Sequence, residues 1–238
     1  MRRNIIVLLT WAMLLCLAGC KEKEEKSKAK RPDMDALRAA EVGSYIYFGE
    51  YEQDNDASTG KEAIEWLVLD KQEDKMLVIS RYGLDSQPYN TELYDVTWET
   101  CSLRRWLNGT FYVTAFIHEE KNVILTSTVT ADANPEYDTP VGNDTTDQVF
   151  LLSIDEANRY FADDTSRTCV GTPYCYEQGT VKHKATGTCE WWLRSPGGSS
   201  YYAAIVNFGG DFLNGGSSVD FNCAVRPAMW IDISSIPD

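Results

Sequence analysis

Residues 190–197 read E-W-W-L-R-S-P-G, and residues 224–231 read A-V-R-P-A-M-W-I. Each stretch is a short run of aromatic and aliphatic residues that carries one arginine and is interrupted by proline, which is typical of strands in a compact core. A buried arginine requires partners, because its planar fork offers five N–H donors. We therefore predict that the two stretches lie side by side. The residues that we expect to form this structural centre are Trp191, Trp192, Arg194, Arg226 and Trp230.

The N-terminus has the three regions of an export signal. Arg2 and Arg3 form a basic start, residues 5–15 are apolar, and residues 17–20 read L-A-G-C, a small-residue cleavage site that ends in cysteine. The apolar run is shorter than the about 20 residues that a membrane-spanning helix needs. L-A-G-C resembles the bacterial lipobox, which implies that residues 1–19 are removed and that Cys20 is lipidated. Ordinary signal cleavage is the alternative. Either way the chain is expected to be extracytoplasmic, and a lipid on Cys20 would anchor it to the cell membrane or outer membrane.

A charged segment follows the cysteine. Residues 21–31 read K-E-K-E-E-K-S-K-A-K-R and contain no aromatic or branched aliphatic side chain, so they cannot bury enough surface to fold. We predict a flexible tether over residues 20–33 and a single globular domain over residues 34–238. The net charge of the chain is −14, and the residues before Pro32 contribute +5, so the remainder carries −19. Such a domain repels nucleic acid, which we exclude as a partner.

The secondary-structure pattern mixes strands and short helices. Residues 63–70 and 75–80 flank a four-residue loop and predict a β-hairpin. Residues 98–107 have helical periodicity, with a stop expected at the Asn-Gly pair that follows, and Ser153 and Glu156 form a capping box for a second helix. Strands are expected over residues 201–208 and 217–221, around a glycine-rich turn over residues 209–216. The pattern predicts an α+β domain with antiparallel sheets and two or three helices.

Four ordered motifs resemble one bacterial family. They are W-x-x-x-S-L-R-x-W-L-N at residues 98–108, D-x-V-F-L-L-S-x-x-E at residues 147–156, W-W-L-R-S-P-G at residues 191–197 and V-R-P-A-M-W-I at residues 225–231. Together they resemble the domain-of-unknown-function family 6273 over about residues 43–231. The resemblance implies a fold that is distantly similar to that of the formylglycine-generating enzymes. This fold is called C-type-lectin-like or sulfatase-modifying-factor-like. A shared fold does not fix a function.

The domain contains five cysteines, Cys101, Cys169, Cys175, Cys189 and Cys223. An odd number leaves at least one cysteine without a disulfide. Disulfides are permitted outside the cytoplasm, and the pairs that we consider first are Cys169 with Cys175 and Cys189 with Cys223. Buried free thiols are an equally open alternative, because cysteine packs well as a small apolar residue.

The first functional hypothesis is a non-catalytic surface module that binds a glycan or an envelope protein. The side chains proposed to stack on a sugar ring are Tyr201, Tyr202, Phe208 and Phe212. The alternative is that these four residues are core and edge positions of two strands.

A long polar loop also suggests a calcium site, because calcium prefers oxygen ligands. Its candidate ligands are Asp132, Asn134, Asp138, Asn143, Asp144 and Asp147. A solvated loop explains the same residues, since Asp and Asn favour turns.

The second functional hypothesis is an enzyme related to the formylglycine-generating oxidases, with Cys189 or Cys223 as a reactive thiol. The sequence contains no C-x-x-C, H-E-x-x-H or G-x-S-x-G motif, and no histidine lies near either cysteine. No catalytic residue can therefore be named, and the binding module is the favoured interpretation.

Overall fold

The protein is described by a computed structural model that covers residues 33–234. The signal peptide, the lipidation site Cys20 and nearly all of the tether lie outside the described residues. Within residues 33–234, no helix combines the length and apolar character that crossing a membrane requires.

The described residues form two main sheets, a four-stranded antiparallel sheet and a five-stranded sheet that is antiparallel except for one parallel strand pair. The four-stranded sheet has the order β1 (Tyr45–Tyr51), β2 (Glu62–Lys71), β3 (Lys75–Ser80) and β13 (Ala228–Asp232). The five-stranded sheet has the order β11 (Phe212–Ser218), β10 (Tyr202–Val206), β9 (Trp191–Pro196), β12 (Asn222–Val225) and β4 (Asp85–Pro88). Two small sheets pair β5 (Ser127–Val129) with β6 (Thr145–Asp147) and β7 (Cys169–Val170) with β8 (Thr188–Cys189). The α+β class with antiparallel sheets is thus confirmed.

The helices are short and more numerous than the two or three predicted. They are α1 (Met34–Ala39), α2 (Ser102–Trp106), α3 (Tyr112–Ala115), α4 (His118–Lys121), α5 (Ile154–Tyr160), α6 (Asp164–Arg167) and α7 (Pro173–Glu177). A π-helical turn, Leu107–Phe111, joins α2 to α3. Helix α5 has the predicted capping box, in which the Ser153 hydroxyl accepts from the Glu156 amide and the Glu156 carboxylate accepts from the Ser153 amide.

One core unites the two main sheets. In β2 the side chains of Ile64, Trp66 and Val68 are buried at alternate positions, as a strand with one face on a core requires, whereas all six residues of β9 are buried. The chain passes from β12 in one sheet to β13 in the other through Arg226 and Pro227. The C-terminal stretch is therefore shared by both sheets, and the core lies around this crossing.

The predicted stop at Asn108 and Gly109 is wrong, because the chain stays helical from residue 102 to residue 115. The Asn108 side chain does not serve as a helix cap. Its amide donates to the carbonyl of Val149 over 2.9 Å, and its oxygen accepts from the amides of Gln148 and Val149 over 2.8 and 3.1 Å. Asn108 anchors a distant loop instead.

The glycine-rich turn is also shorter than predicted. The chain reverses over residues 207–211, and β11 already begins at Phe212 and runs through Gly215 and Gly216. Gly216 has a φ of +78°, and a Cβ at this position would collide with the carbonyl oxygen of Ala203 on the neighbouring strand. The glycine permits a close approach of backbones where the register of the strand pair shifts, and it does not mark a turn.

Candidate functional site

Arg194 lies on β9 with only 2% of its side chain exposed, and every nitrogen of its fork has an acceptor. Its Nε donates to the carbonyl of Thr130 over 3.2 Å, and Nη1 donates to the carbonyl of Leu151 over 2.9 Å. Nη2 forms an ion pair with Asp132 over 2.7 Å, and Nη1 forms a second ion pair with Glu156. The prediction that this arginine is buried and paired is confirmed. The side chain joins β9 to a long loop and to α5.

Arg226 has a different environment. It is 3% exposed, and its Nε donates to the carbonyl of Ser80 over 2.8 Å. Its guanidinium carbon lies 5.0 Å from the ring centroid of Trp191 and 5.2 Å from that of Phe161, but Nη1 has no acceptor within the described part of the chain. The expectation that a buried arginine has partners for its N–H donors is therefore met only in part by Arg226. Aromatic faces, which attract cations, supply most of its contacts.

The two arginine-bearing segments lie side by side, as predicted. Ala224 pairs with Trp191 in a parallel bridge between β12 and β9. The Trp191 indole donates to the carbonyl of Arg167 over 3.1 Å, and the Trp192 indole donates to the carbonyl of Gln87 over 2.9 Å. Trp230 lies on β13 in the other sheet and is only half-buried. The centre is a structural core, because four of its five members are buried and only Trp230 is partly exposed.

The oxygen-rich loop does not gather its six candidate calcium ligands around one point. Asp132 pairs with Arg194, and Asp147 is 1% exposed and pairs with Arg104 over 2.7 Å. The amide of Asn134 donates to the carbonyls of Pro196 and Asn214 over 2.7 and 2.8 Å. Asn143 donates to Glu99, Asp144 accepts from the amide of Ala131, and Asp138 is exposed. The loop residues tie the loop to the domain, because most of them already have protein partners.

One triple of carboxylates does converge within the described residues, and it lies elsewhere. Oxygens of Glu52, Asp54 and Glu62 come within 4.8 Å of one another. All three carboxylates accept hydrogen bonds from backbone amides of their own loop, such as the 2.7 Å bond from Gln53 to Glu62. These bonds organise the turn that leads into β2.

All five cysteines of the described domain are buried free thiols. Cys169 lies opposite Cys189 in the β7–β8 pair, and the thiol of Cys189 donates to the carbonyl of Cys169 over 3.6 Å. Cys175 instead directs its sulfur to the carbonyl of Asp85 over 3.1 Å. The structure contains neither Cys169–Cys175 nor Cys189–Cys223 as a disulfide, and it makes Cys189 the direct neighbour of Cys169, because strand pairing aligns them.

Burial and neighbouring groups shift the pKa values of the five thiols. Burial raises the pKa of Cys101 and of Cys175 to about 12, and it also raises the pKa of Cys223. The neighbouring Cys189 thiol lowers the pKa of Cys169, and the charge of Arg226 acts in the same direction. The neighbouring Cys169 thiol and burial raise the pKa of Cys189.

The four aromatic residues proposed to stack on a sugar do not form one surface. Tyr201 and Tyr202 are 44% and 36% exposed, and their ring centroids lie 5.0 Å apart. Phe208 and Phe212 lie near the other end of β10, where both are half-buried. The Phe208 ring contacts His183, and the guanidinium of Arg167 lies 4.3 Å from the centroid of Phe212. Only the two tyrosines are available to a ligand.

A shallow open depression lies beside Tyr201. Its volume is about 550 Å³, and it is lined by Leu93, Tyr94, Asp95 and Tyr201. Leu93 and Tyr94 are 58% and 49% exposed. Sequence reasoning missed the residues from the loop, although adjacent leucine and tyrosine in a polar surface segment are a signal that could have indicated them.

Backbone hydrogen bonds hold the two walls of the depression together. The amide of Val96 donates to the carbonyl of Ser200 over 2.9 Å, which ties the loop to the segment that carries Tyr201. The amide of Val219 donates to the carbonyl of Tyr201 over 3.0 Å. A ligand would therefore meet rings that are already positioned, which limits the entropy lost on binding.

Over residues 33–234 the fold and its surface define an α+β domain with a packed arginine–tryptophan core and an aromatic depression exposed to solvent. The chain belongs to the family described as Domain of unknown function (DUF6273), whose profile matches residues 73–233. This match confirms the resemblance drawn from the four motifs. Comparisons with curated proteins and with solved structures returned no match.

Proposed function

We propose that the chain is a cell-envelope lipoprotein whose domain binds a glycan without catalysis, at the depression between Tyr94 and Tyr201. The observation that carries this proposal is the pair of exposed tyrosines from two separate segments on one open surface. Tyrosine offers a rigid apolar ring that can cover the C–H face of a sugar, and its hydroxyl remains available to water or to the ligand. The carboxylate of Asp95 at the same surface offers an acceptor for sugar hydroxyls.

The net charge of the domain restricts the class of glycan that it can bind. The chain from Pro32 onward carries a net charge of −19, so anionic polymers are repelled and neutral or amino sugars are favoured. An envelope protein is the other ligand class that such a surface could accept. The two main sheets and the long loops are compatible with the C-type-lectin-like fold, and this finer fold assignment forms part of the proposal.

Burial of the cysteines favours binding over oxidase chemistry. An oxidase of the formylglycine-generating kind requires a thiol that its protein substrate can reach. The five cysteines of the described domain are each no more than 2% exposed. A thiolate must contact its substrate to act as a nucleophile, so these cysteines fit a structural role better.

Replacing Tyr94 or Tyr201 with alanine is expected to weaken glycan binding about tenfold each, which corresponds to the loss of one stacked ring. A glycan and peptide array identifies the ligand, and calorimetry on wild-type and variant proteins measures the affinity. Tyr47→Ala is the matched control, because Tyr47 is 61% exposed on β1 in the other main sheet. Chelators should leave the affinity unchanged, since most of the candidate calcium ligands already have protein partners.

Equal loss of affinity in Tyr47→Ala, or wild-type affinity in both Tyr94→Ala and Tyr201→Ala, would contradict this site. Exclusive binding to peptides on the array would replace the glycan by an envelope protein as the ligand.

The lipid anchor is tested by Cys20→Ser. We expect the variant to incorporate no radiolabelled palmitate and to leave the membrane fraction, because a serine hydroxyl cannot take the thioether-linked lipid. Cys16→Ser should keep the label, since Cys16 lies inside the predicted signal peptide. The melting temperature of the domain should not change. Label that persists on Cys20→Ser would refute the anchor.

A further inference from the structure

Cys169 and Cys189 occupy facing positions in the small β7–β8 sheet. Their Cα atoms are register partners in an antiparallel pair. Facing residues in such pairs have Cα atoms about 4.5–5.5 Å apart, and disulfides span Cα distances of about 4.4–6.8 Å. The sulfur of Cys189 already lies 3.6 Å from the carbonyl oxygen of Cys169. The two sulfurs can therefore bond without a rearrangement of the backbone.

The third nearby cysteine, Cys175, is held by other contacts. Its sulfur donates to the carbonyl of Asp85 over 3.1 Å and lies 3.5 Å from the hydroxyl of Thr180. A Cβ added to Gly83 would lie 3.5 Å from the sulfur of Cys175 and 3.5 Å from that of Cys189, so the Gly83 backbone packs against both. These contacts leave Cys189 as the partner for Cys169.

Burial limits when the two thiols can meet an oxidant. The thiolate is the species that attacks a disulfide. Because Cys169 and Cys189 are 1% and 0% exposed, the reaction must occur during folding, before the small sheet is covered.

We propose that Cys169 and Cys189 form a cross-strand disulfide and that Cys175 stays a thiol beside it. The oxidant is another disulfide, of the class that glutathione disulfide represents. The Cys169 thiolate attacks one sulfur of the oxidant and displaces the first thiolate, and the Cys189 thiolate then attacks the mixed disulfide at Cys169 and displaces the second. The two cysteines lose two electrons and two protons, and the oxidant becomes two thiols. This proposal does not depend on the ligand of the domain.

The bond would close a loop over residues 169–189, which contains α7. Closing a loop of this length restricts the unfolded chain, and we expect the melting temperature to rise by roughly 6–12 °C relative to the reduced protein. Burial should also protect the bond from mild reductants while the domain is folded.

To test for this disulfide, the reduced full chain is refolded in a glutathione redox buffer. The remaining thiols are then alkylated under denaturing conditions. Chymotrypsin cleaves after Tyr174 and separates Cys169 from Cys175, and trypsin cleaves after Lys184 and separates both from Cys189. Mass spectrometry should find the Cys169 peptide linked to the Cys189 peptide, with Cys175 alkylated. Melting curves with and without a strong reductant measure the thermal effect.

Cys175→Ala is the control variant, and it should keep the linked peptide and the response to reductant. Cys189→Ala should lose both while its reduced form melts close to the reduced wild type. Linkage of Cys169 to Cys175, linkage of Cys189 to Cys223, or alkylation of all five domain cysteines in refolded wild-type protein would each overturn the proposal.

Discussion

Replacing Arg194 with alanine is expected to lower the free energy of unfolding by about 3–5 kcal/mol, as for other buried ion pairs that lose one partner. The change removes five hydrogen bonds at once, two to the carboxylates of Asp132 and Glu156, two to backbone carbonyls and one to the hydroxyl of Thr130. Both carboxylates are about one-quarter exposed and can regain some water, so we expect the lower part of this range. Urea unfolding monitored by tryptophan fluorescence measures the change.

Arg194→Lys should recover part of the loss, because an ammonium group keeps the charge but cannot reach all of these acceptors with a planar fork. Arg159→Ala is the matched control. Arg159 is an exposed arginine on α5, the helix that contains Glu156, and its loss should change stability by less than about 0.5 kcal/mol. Equal stability of Arg194→Ala and Arg159→Ala would show that the paired fork contributes nothing.

Local sequence patterns were sufficient to predict the elements whose structure is determined by neighbouring residues. The β2–β3 hairpin follows from strand patterning around a short loop, and the capping box at Ser153 follows from a three-residue spacing. Both signals act within a few residues, so the chain itself displays them.

Structure that depends on distant partners was not predictable in the same way. Asn108 looked like a helix stop, but its side chain bonds to residues 148 and 149, which lie about forty positions further along the chain. Cys169 faces Cys189 only because β7 and β8 pair across the segment that contains α7. A one-sequence pattern contains no record of such contacts, and the cysteine spacing alone favoured other pairs.

The candidate site shows the same division. Tyr201 was identified from its position near the glycine-rich segment, but its neighbours in the depression come from the loop over residues 93–95. The hydrogen bond between Val96 and Ser200 brings these segments together over more than one hundred residues of chain. The candidate calcium ligands of the oxygen-rich loop do not converge for a related reason. Its carboxylates and amides had fold partners that the sequence does not reveal, such as Arg104 for Asp147.

Replacing Trp192 with alanine is expected to cost about 3–5 kcal/mol of unfolding free energy, the range for a large aromatic side chain removed from a core. Trp192 is fully buried, and its ring lies 5.6 Å from that of Tyr89. Its indole also bonds to the carbonyl of Gln87 on β4 over 2.9 Å, so the side chain joins β9 to the edge strand of the five-stranded sheet. Alanine would leave a cavity and an unpaired carbonyl.

Trp192→Phe separates these two contributions. A phenyl ring fills most of the space but cannot donate to Gln87, so we expect a loss of about 1–2 kcal/mol from the unpaired carbonyl and the remaining void. Trp230 provides the comparison, because it lies half-buried on β13 with the ammonium of Lys75 at 4.7 Å from its ring centroid. Trp230→Ala should cost less than Trp192→Ala. If the two alanine variants unfold at the same urea concentration, the arginine–tryptophan core around β9 does not control the stability of the domain.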